Sequence, residues 1–173
     1  MSLTDADIAA ALAPAGLRFI ERERAEVKLP LQPNRSAASS LAEHGRIDAE
    51  PDEVVDVDDS DMAAKLNASW LRLALQYGLF DEQREFLIGV DFSATDEPDW
   101  AWVRVRLLDE WDIAGSGVAT LRSNLAGVFT TRFVPEFTSV SLDRRMLLHT
   151  TVWGNGTVSS IVIRPDLVKG NAN

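Results

Sequence analysis

The stretch "SDMAAKLNASWLRLALQYGLFDEQREFLIGVDFSATDEPDWAWVRVRLL", residues 60 to 108, changes its period half-way along. Before Gly78 the apolar residues recur at helical spacing, with Met62, Leu66, Trp70, Leu73 and Tyr77 on one face. Leu71, Ala74 and Leu75 widen that face, which predicts a helix covered on more than one side. Ser60 or Asp59 can cap its first amides, Asp61 suits the positive end of its dipole, and Gly78 suits a left-handed C-terminal cap. From residue 85 onward the period falls to two. Phe86, Ile88, Val90 and Phe92 share one strand face. "TDEPD" then turns the chain. In the next strand Ala101, Val103, Val105 and Leu107 face one way, and Trp100, Trp102, Arg104 and Arg106 face the other.

Downstream, further strands are expected over 117 to 122, 127 to 134 and 137 to 142. "TTVWGNGTVSSIVI", residues 150 to 163, reads as the end of a closing hairpin running from about 146 to 164. With Asn155 and Gly156 as the central residues of a type I′ turn, Trp153 pairs with Val158, Thr151 with Ser160 and His149 with Val162. That register gives a more apolar core face, and a semi-polar His149 and Trp153 face that meets solvent or another chain.

Upstream, Thr4 and Asp7 form a variant capping box ahead of Ile8, Ala11 and Leu12, and Pro14 and Gly16 end that short helix. "LRFIERERAEVKLPL" reads as one bent strand or two short ones, ending at Pro30 to Pro33. Residues 33 to 59 are polar and then acidic, a composition that predicts a loop.

The expected fold is α+β, one domain over residues 1 to 173. An antiparallel meander of five or six strands wraps around or packs on one long apolar helix, with a short N-terminal helix added. Hot-dog folds and cystatin-like or NTF2-like cones have comparable layouts.

Composition limits the function classes. The chain has 173 residues, 46% of them hydrophobic, which suffices for one real core. It has no cysteine, so disulfides, thiolate metal sites and a cysteine nucleophile are out, and a cytoplasmic location fits. Its opening carries two aspartates and no early basic residue, so a secretory signal is not expected, and no apolar run is long enough for a membrane span. A net charge of −10 repels phosphate backbones, which disfavours nucleic acid as a partner.

No catalytic constellation stands out. The carboxylates nearest to one are Asp91, in "GVDFSATDEP", and Asp109 and Asp112 beside Trp111 in "LLDEWDIAGSG". Carboxylates beside an aromatic can act as acid and base, but at strand ends they are commonly solvated turn residues. No metal site is expected either. Asp56, Asp58, Asp59 and Asp61 come closest, yet counting from Asp56 the sixth and twelfth positions are Asp61 and Asn67, where an EF-hand needs glycine and glutamate. His149 is a lone strand histidine, with His44 far off in the polar loop. No phosphate-binding glycine loop or dinucleotide fingerprint is present, and no cofactor is expected.

These readings point first to a non-enzymatic binding or assembly protein. It would be a subunit of a homo- or hetero-oligomer, structural or accessory, of the phage or virion type, with a protein partner or a second copy held through Trp100, Trp102, Arg104, Arg106, His149 and Trp153. The alternative is a small hot-dog or NTF2-like enzyme, a thioesterase or isomerase, using a carboxylate as acid or base.

Overall fold

The computed structural model describes residues 2–24 and 53–163. The rest of the stretch read as one bent strand or two short ones, His44, and most of the polar loop lie outside those residues. The architecture is α+β. Helix α1 (Asp5–Leu12) leads through a 3₁₀ turn into β1 (Leu17–Arg22), and β2 (Val54–Asp56) precedes the long helix α2 (Met62–Tyr77). Then come β3 (Glu85–Asp91), β4 (Trp100–Leu107), β5 (Phe137–Val140), β6 (Leu147–Val152) and β7 (Thr157–Ile163). All seven strands form one antiparallel sheet in the order β1-β4-β3-β5-β6-β7-β2.

The sheet is not a simple meander. Two hairpin-connected groups, β4-β3 and β5-β6-β7, meet at a seam of two pairs, Leu87 with Val140 and Ile88 with Ser139. The chain crosses from β4 over to β5 through residues 108 to 136. The strands expected at 117 to 122 and 127 to 134 are replaced there by 3₁₀ turns at Ala119–Leu121 and Leu125–Val128. A single bridge, Arg122 with Pro135, is all the ladder this crossing makes. Its apolar residues Ile113, Val118, Leu121, Ala126 and Val134 are buried, so alternation here marks a loop pressed on the core. In exchange, β1 and β2 join the two edges, and β2 comes from the acidic run read as loop.

The two helices of the described residues start and stop for local reasons. The Thr4 hydroxyl accepts from the Asp7 amide at 3.2 Å, and the Thr4 amide donates to Asp7 Oδ2 at 2.9 Å, the capping box the sequence predicts. For α2 the capping residue is Asp61, with no side-chain cap of its own; Asp59 Oδ1 instead accepts from the Asp61 amide. Gly78 ends α2 in the left-handed region at φ 76°, as expected.

The core forms against α2. Met62, Leu66, Trp70, Leu73 and Ala74 are buried, but Leu75 is 66% exposed, so α2 is covered on one side only. Trp70 sits among four rings: Phe80, Phe86 of β3, Trp111 of the crossing loop and Phe137 of β5, with centroids 5.5 to 6.1 Å away. Edge and tilted contacts of this kind are favourable beyond the area they bury. The Trp70 indole N–H donates to Ser139 Oγ at 3.3 Å. Beside it only a small void of about 10 Å³ remains.

The closing hairpin departs from its expected register. The Trp153 amide donates to the Thr157 carbonyl and the Gly156 amide to the Trp153 carbonyl, so the loop has three residues, Gly154 to Gly156. Gly156 takes φ 79°, the left-handed position such a loop needs. Thr151 therefore pairs with Ser159 and His149 with Ile161, one residue earlier than a two-residue turn predicts. The faces of β7 exchange: Val158, Ser160 and Val162 join Val152, Thr150 and Leu148, and Ile161 joins His149.

Candidate functional site

The residues named from sequence divide by position. Trp100, Trp102, Arg104 and Arg106 alternate along β4 opposite Val103 and Val105, as the period of two predicts. Trp102 is buried with Leu87, Val140 and Leu147. His149 is 1% exposed, and its Nδ1 lies 2.6 Å from the Thr138 hydroxyl. The expectation that the His149 face is open to solvent or to another chain is therefore corrected. Thr151, Ser159 and Ile161 beside it are also buried within the chain. Trp153 is half-buried and its indole N–H donates to Ser159 Oγ at 2.7 Å. Of the six proposed contact residues, Trp100, Arg104, Arg106 and Trp153 keep part of their surface accessible.

Arg104 and Arg106 converge on a carboxylate that sequence reasoning missed. Glu85 of β3 is 2% exposed and takes Arg104 Nη2 at 2.7 Å and Arg106 Nη2 at 3.2 Å. The antiparallel register places it there, because Glu85 pairs directly with Arg106. The hydrogen bond to Glu85 holds the Arg104 guanidinium above its ordinary pKa. The signal was present in sequence as a lone acid opening an apolar strand two arginines would flank.

The acidic candidates each have a local structural partner. Asp109 is fully exposed and pairs with Arg84 at 3.3 Å. Asp112 Oδ1 accepts from Asn67 Nδ2 and from the Gly115 amide, both at 2.7 Å, and Asn67 Oδ1 accepts from the Ala114 amide. That exchange pins the crossing loop to α2. Asp56 Oδ1 accepts from the Asp58 amide at 2.8 Å. Asp59 Oδ2 takes Lys65 Nζ at 2.6 Å, which lowers the Asp59 pKa and raises that of Lys65. Asp58 and Asp61 donate backbone amides to this turn. Among the described residues no three acidic or histidine side chains gather to hold a metal ion.

Asp91 is placed differently. It ends β3, half-buried, in the wall of a cleft of about 430 Å³ between α1 and the loop after Ser116. Leu3, Ile8, Ala11, Pro14 and Val118 supply the apolar wall. Ser93, Ser116 and Thr120 supply hydroxyls. Asp91 Oδ1 accepts from the Ser93 amide at 2.9 Å and the Asp99 amide at 2.8 Å, and the Asp91 amide donates to the Thr120 hydroxyl at 2.9 Å. These bonds fix the mouth of the β3–β4 hairpin. The cleft's walls come from three segments distant in sequence, which is why no motif announced it.

Comparison with protein-family models, with curated proteins and with solved structures finds no match for this chain. No helix among the described residues is long and apolar enough to cross a membrane.

Proposed function

We propose that this chain is a non-enzymatic binding or assembly protein, one subunit of a homo- or hetero-oligomer, of the structural or accessory kind that phage and virion particles use. The observation that carries this reading is the close packing around Trp70 among the described residues. The space between α2 and the sheet, where a hot-dog or NTF2-like enzyme would hold its substrate, is occupied by the Trp70 ring cluster with a residual void of about 10 Å³. The layout we read here, a sheet packed on or wrapped around one long helix, is comparable with hot-dog, cystatin-like or NTF2-like architectures, an analogy that leaves a binding role open. The contact surface in this reading is the accessible part of Trp100, Arg104, Arg106 and Trp153, aromatic and arginine side chains of the kind that anchor interfaces. Sedimentation velocity at protein concentrations from about 1 to 500 μM, the range over which interfaces of standard size are occupied, tests it. A concentration-dependent oligomer that Arg104→Glu or Trp153→Ala dissociates is expected. A strict monomer throughout, with no stoichiometric protein partner, overturns it.

The cleft at Asp91 favours a second reading, a small enzyme of the thioesterase or isomerase class with that carboxylate as acid or base. It predicts turnover of an acyl thioester or an enolisable substrate that Asp91→Asn abolishes. No turnover of either class by the wild-type protein removes it.

A further inference from the structure

We propose that the cleft between α1 and the loop after Ser116 binds a small organic cation, an ammonium group carried on an apolar body. The argument begins with size. A volume of about 430 Å³ falls inside the range of small-molecule sites, about 300 to 1,000 Å³. The wall chemistry then selects the ligand class. Leu3, Ile8, Ala11, Pro14 and Val118 offer hydrocarbon, which gives an apolar body a dry surface to cover. Among the described lining residues Asp91 is the one charged side chain, and none is basic. A carboxylate in a half-enclosed apolar wall attracts a cation more strongly than the same group in open water, because the local dielectric is lower. The chain's net charge of −10 adds a long-range field of the same sign, which raises the local concentration of cations and lowers that of anions.

The carboxylate is also held in place. Its Oδ1 is committed to the Ser93 and Asp99 amides, and among the described residues no hydrogen bond engages Oδ2. An ammonium group needs acceptors in several directions, and the Ser93, Ser116 and Thr120 hydroxyls that share the wall can supply them. Two arginines of the neighbouring segments are engaged elsewhere: Arg22 pairs with Asp5 at 3.1 Å and covers the Phe92 ring, and Arg122 lies over the Phe133 ring. The site is independent of the assembly reading, since a monomer and an oligomer would present it alike.

Three probes that differ only in the head group test it: 4-phenylbutylamine, 4-phenylbutanol and 5-phenylpentanoate. Each is titrated into the full chain and followed by amide chemical shifts. The expected result is saturable binding of the amine with shifts centred on Ile8, Ser93 and residues 116 to 120. The alcohol binds at least tenfold more weakly and the carboxylate more weakly still. Asp91→Asn keeps an oxygen for the Ser93 and Asp99 amides, and it brings the amine down to the affinity of the alcohol. Ala11→Phe, at an exposed position of α1, fills the cleft and removes binding of both while leaving the core untouched. Equal affinities for the three probes, shifts centred elsewhere, or an amine that still binds to Ala11→Phe would overturn the proposal. Should Asp91→Asn fail to fold, the wild-type series and Ala11→Phe decide it alone.

Discussion

Replacing Trp70 with phenylalanine keeps an aromatic ring among Phe80, Phe86, Trp111 and Phe137 but withdraws the second ring of the indole. Trp70 is 2% exposed, so everything withdrawn was buried. The lost surface, on the order of 40 Å² of apolar area at about 25 cal/mol per Å², is worth about 1 kcal/mol. The space left behind, on the order of 30 Å³ at about 24 cal/mol per Å³, costs somewhat less than that again. The hydrogen bond to Ser139 is long at 3.3 Å and adds little, and Ser139 Oγ keeps a second partner in the Leu148 carbonyl. Together these come to about 2 kcal/mol, a large share of a typical domain's stability. With a urea slope of about 2 kcal/mol/M the midpoint falls by about 1 M. Far-UV circular dichroism reads this without depending on the indole that was removed. Trp70→Ala should cost about 3 to 5 kcal/mol by the same reasoning. A midpoint shift under about 0.3 M for Trp70→Phe, with an unchanged slope, would refute the claim that this ring cluster is the centre of the core.

Glu85→Gln leaves two guanidinium groups without their shared counter-charge. Because the arginine side chains are 35% exposed, water compensates in part, and a loss of about 2 kcal/mol in urea unfolding is expected, below the full cost of breaking a buried pair. Gly156→Ala forces a left-handed alanine against Phe129, whose ring would lie 3.3 Å from the new Cβ, and should lower stability by about 1 to 2 kcal/mol. Gly154→Ala, with open space around it and no positive φ, should leave the melting temperature nearly unchanged; equal effects at the two sites would contradict the three-residue loop. Asp7 is held below the ordinary carboxylate value by the Thr4 amide and then the Thr4 hydroxyl, and Asp143 by the Ser141 hydroxyl. A value depressed in the folded state gives stability that is present at neutral pH and lost as pH falls through the carboxylate range, so urea midpoints should hold down to about pH 4.5 and decline below about pH 4. Asp7→Asn should flatten the share of that decline seen in hydrogen exchange at the first turn of α1, and a midpoint that rises on acidification would contradict the assignment.

Much of this architecture was legible because local and global preferences agree. In α2 the helical spacing, the acidic start and Gly78 all point one way, and in β3 Phe86, Ile88 and Val90 share the core face that the period of two predicts, although Leu87 on the other face is buried as well, against Trp102. Where the reading failed, two solutions shared one pattern. The crossing loop carries apolar residues at strand-like intervals, yet it folds as 3₁₀ turns whose apolar residues Val118, Leu121 and Ala126 are buried. Asn155-Gly156 fits a two-residue turn, but Gly154 in front of it allows a three-residue loop, and that one residue moves every side chain of β7 to the other face. The strand at Val54–Asp56 hides in an acidic run because an edge strand tolerates charge on its open side. At the candidate site Asp91 was visible as a carboxylate at a strand end. Its cleft was not, since α1 and the loop after Ser116 meet there only through the tertiary fold.

The placement of β1 and β2 at opposite borders of the sheet bears on the order in which a growing chain can mature. Among the described residues each precedes its neighbour by about eighty to a hundred residues, β1 waiting for β4 and β2 for β7. On the ribosome β1 and β2 therefore emerge well before the strands they pair with. The β1 border can close once β4 has been synthesised and the β2 border only once β7 has, so β2 is the strand that waits longer for its partner.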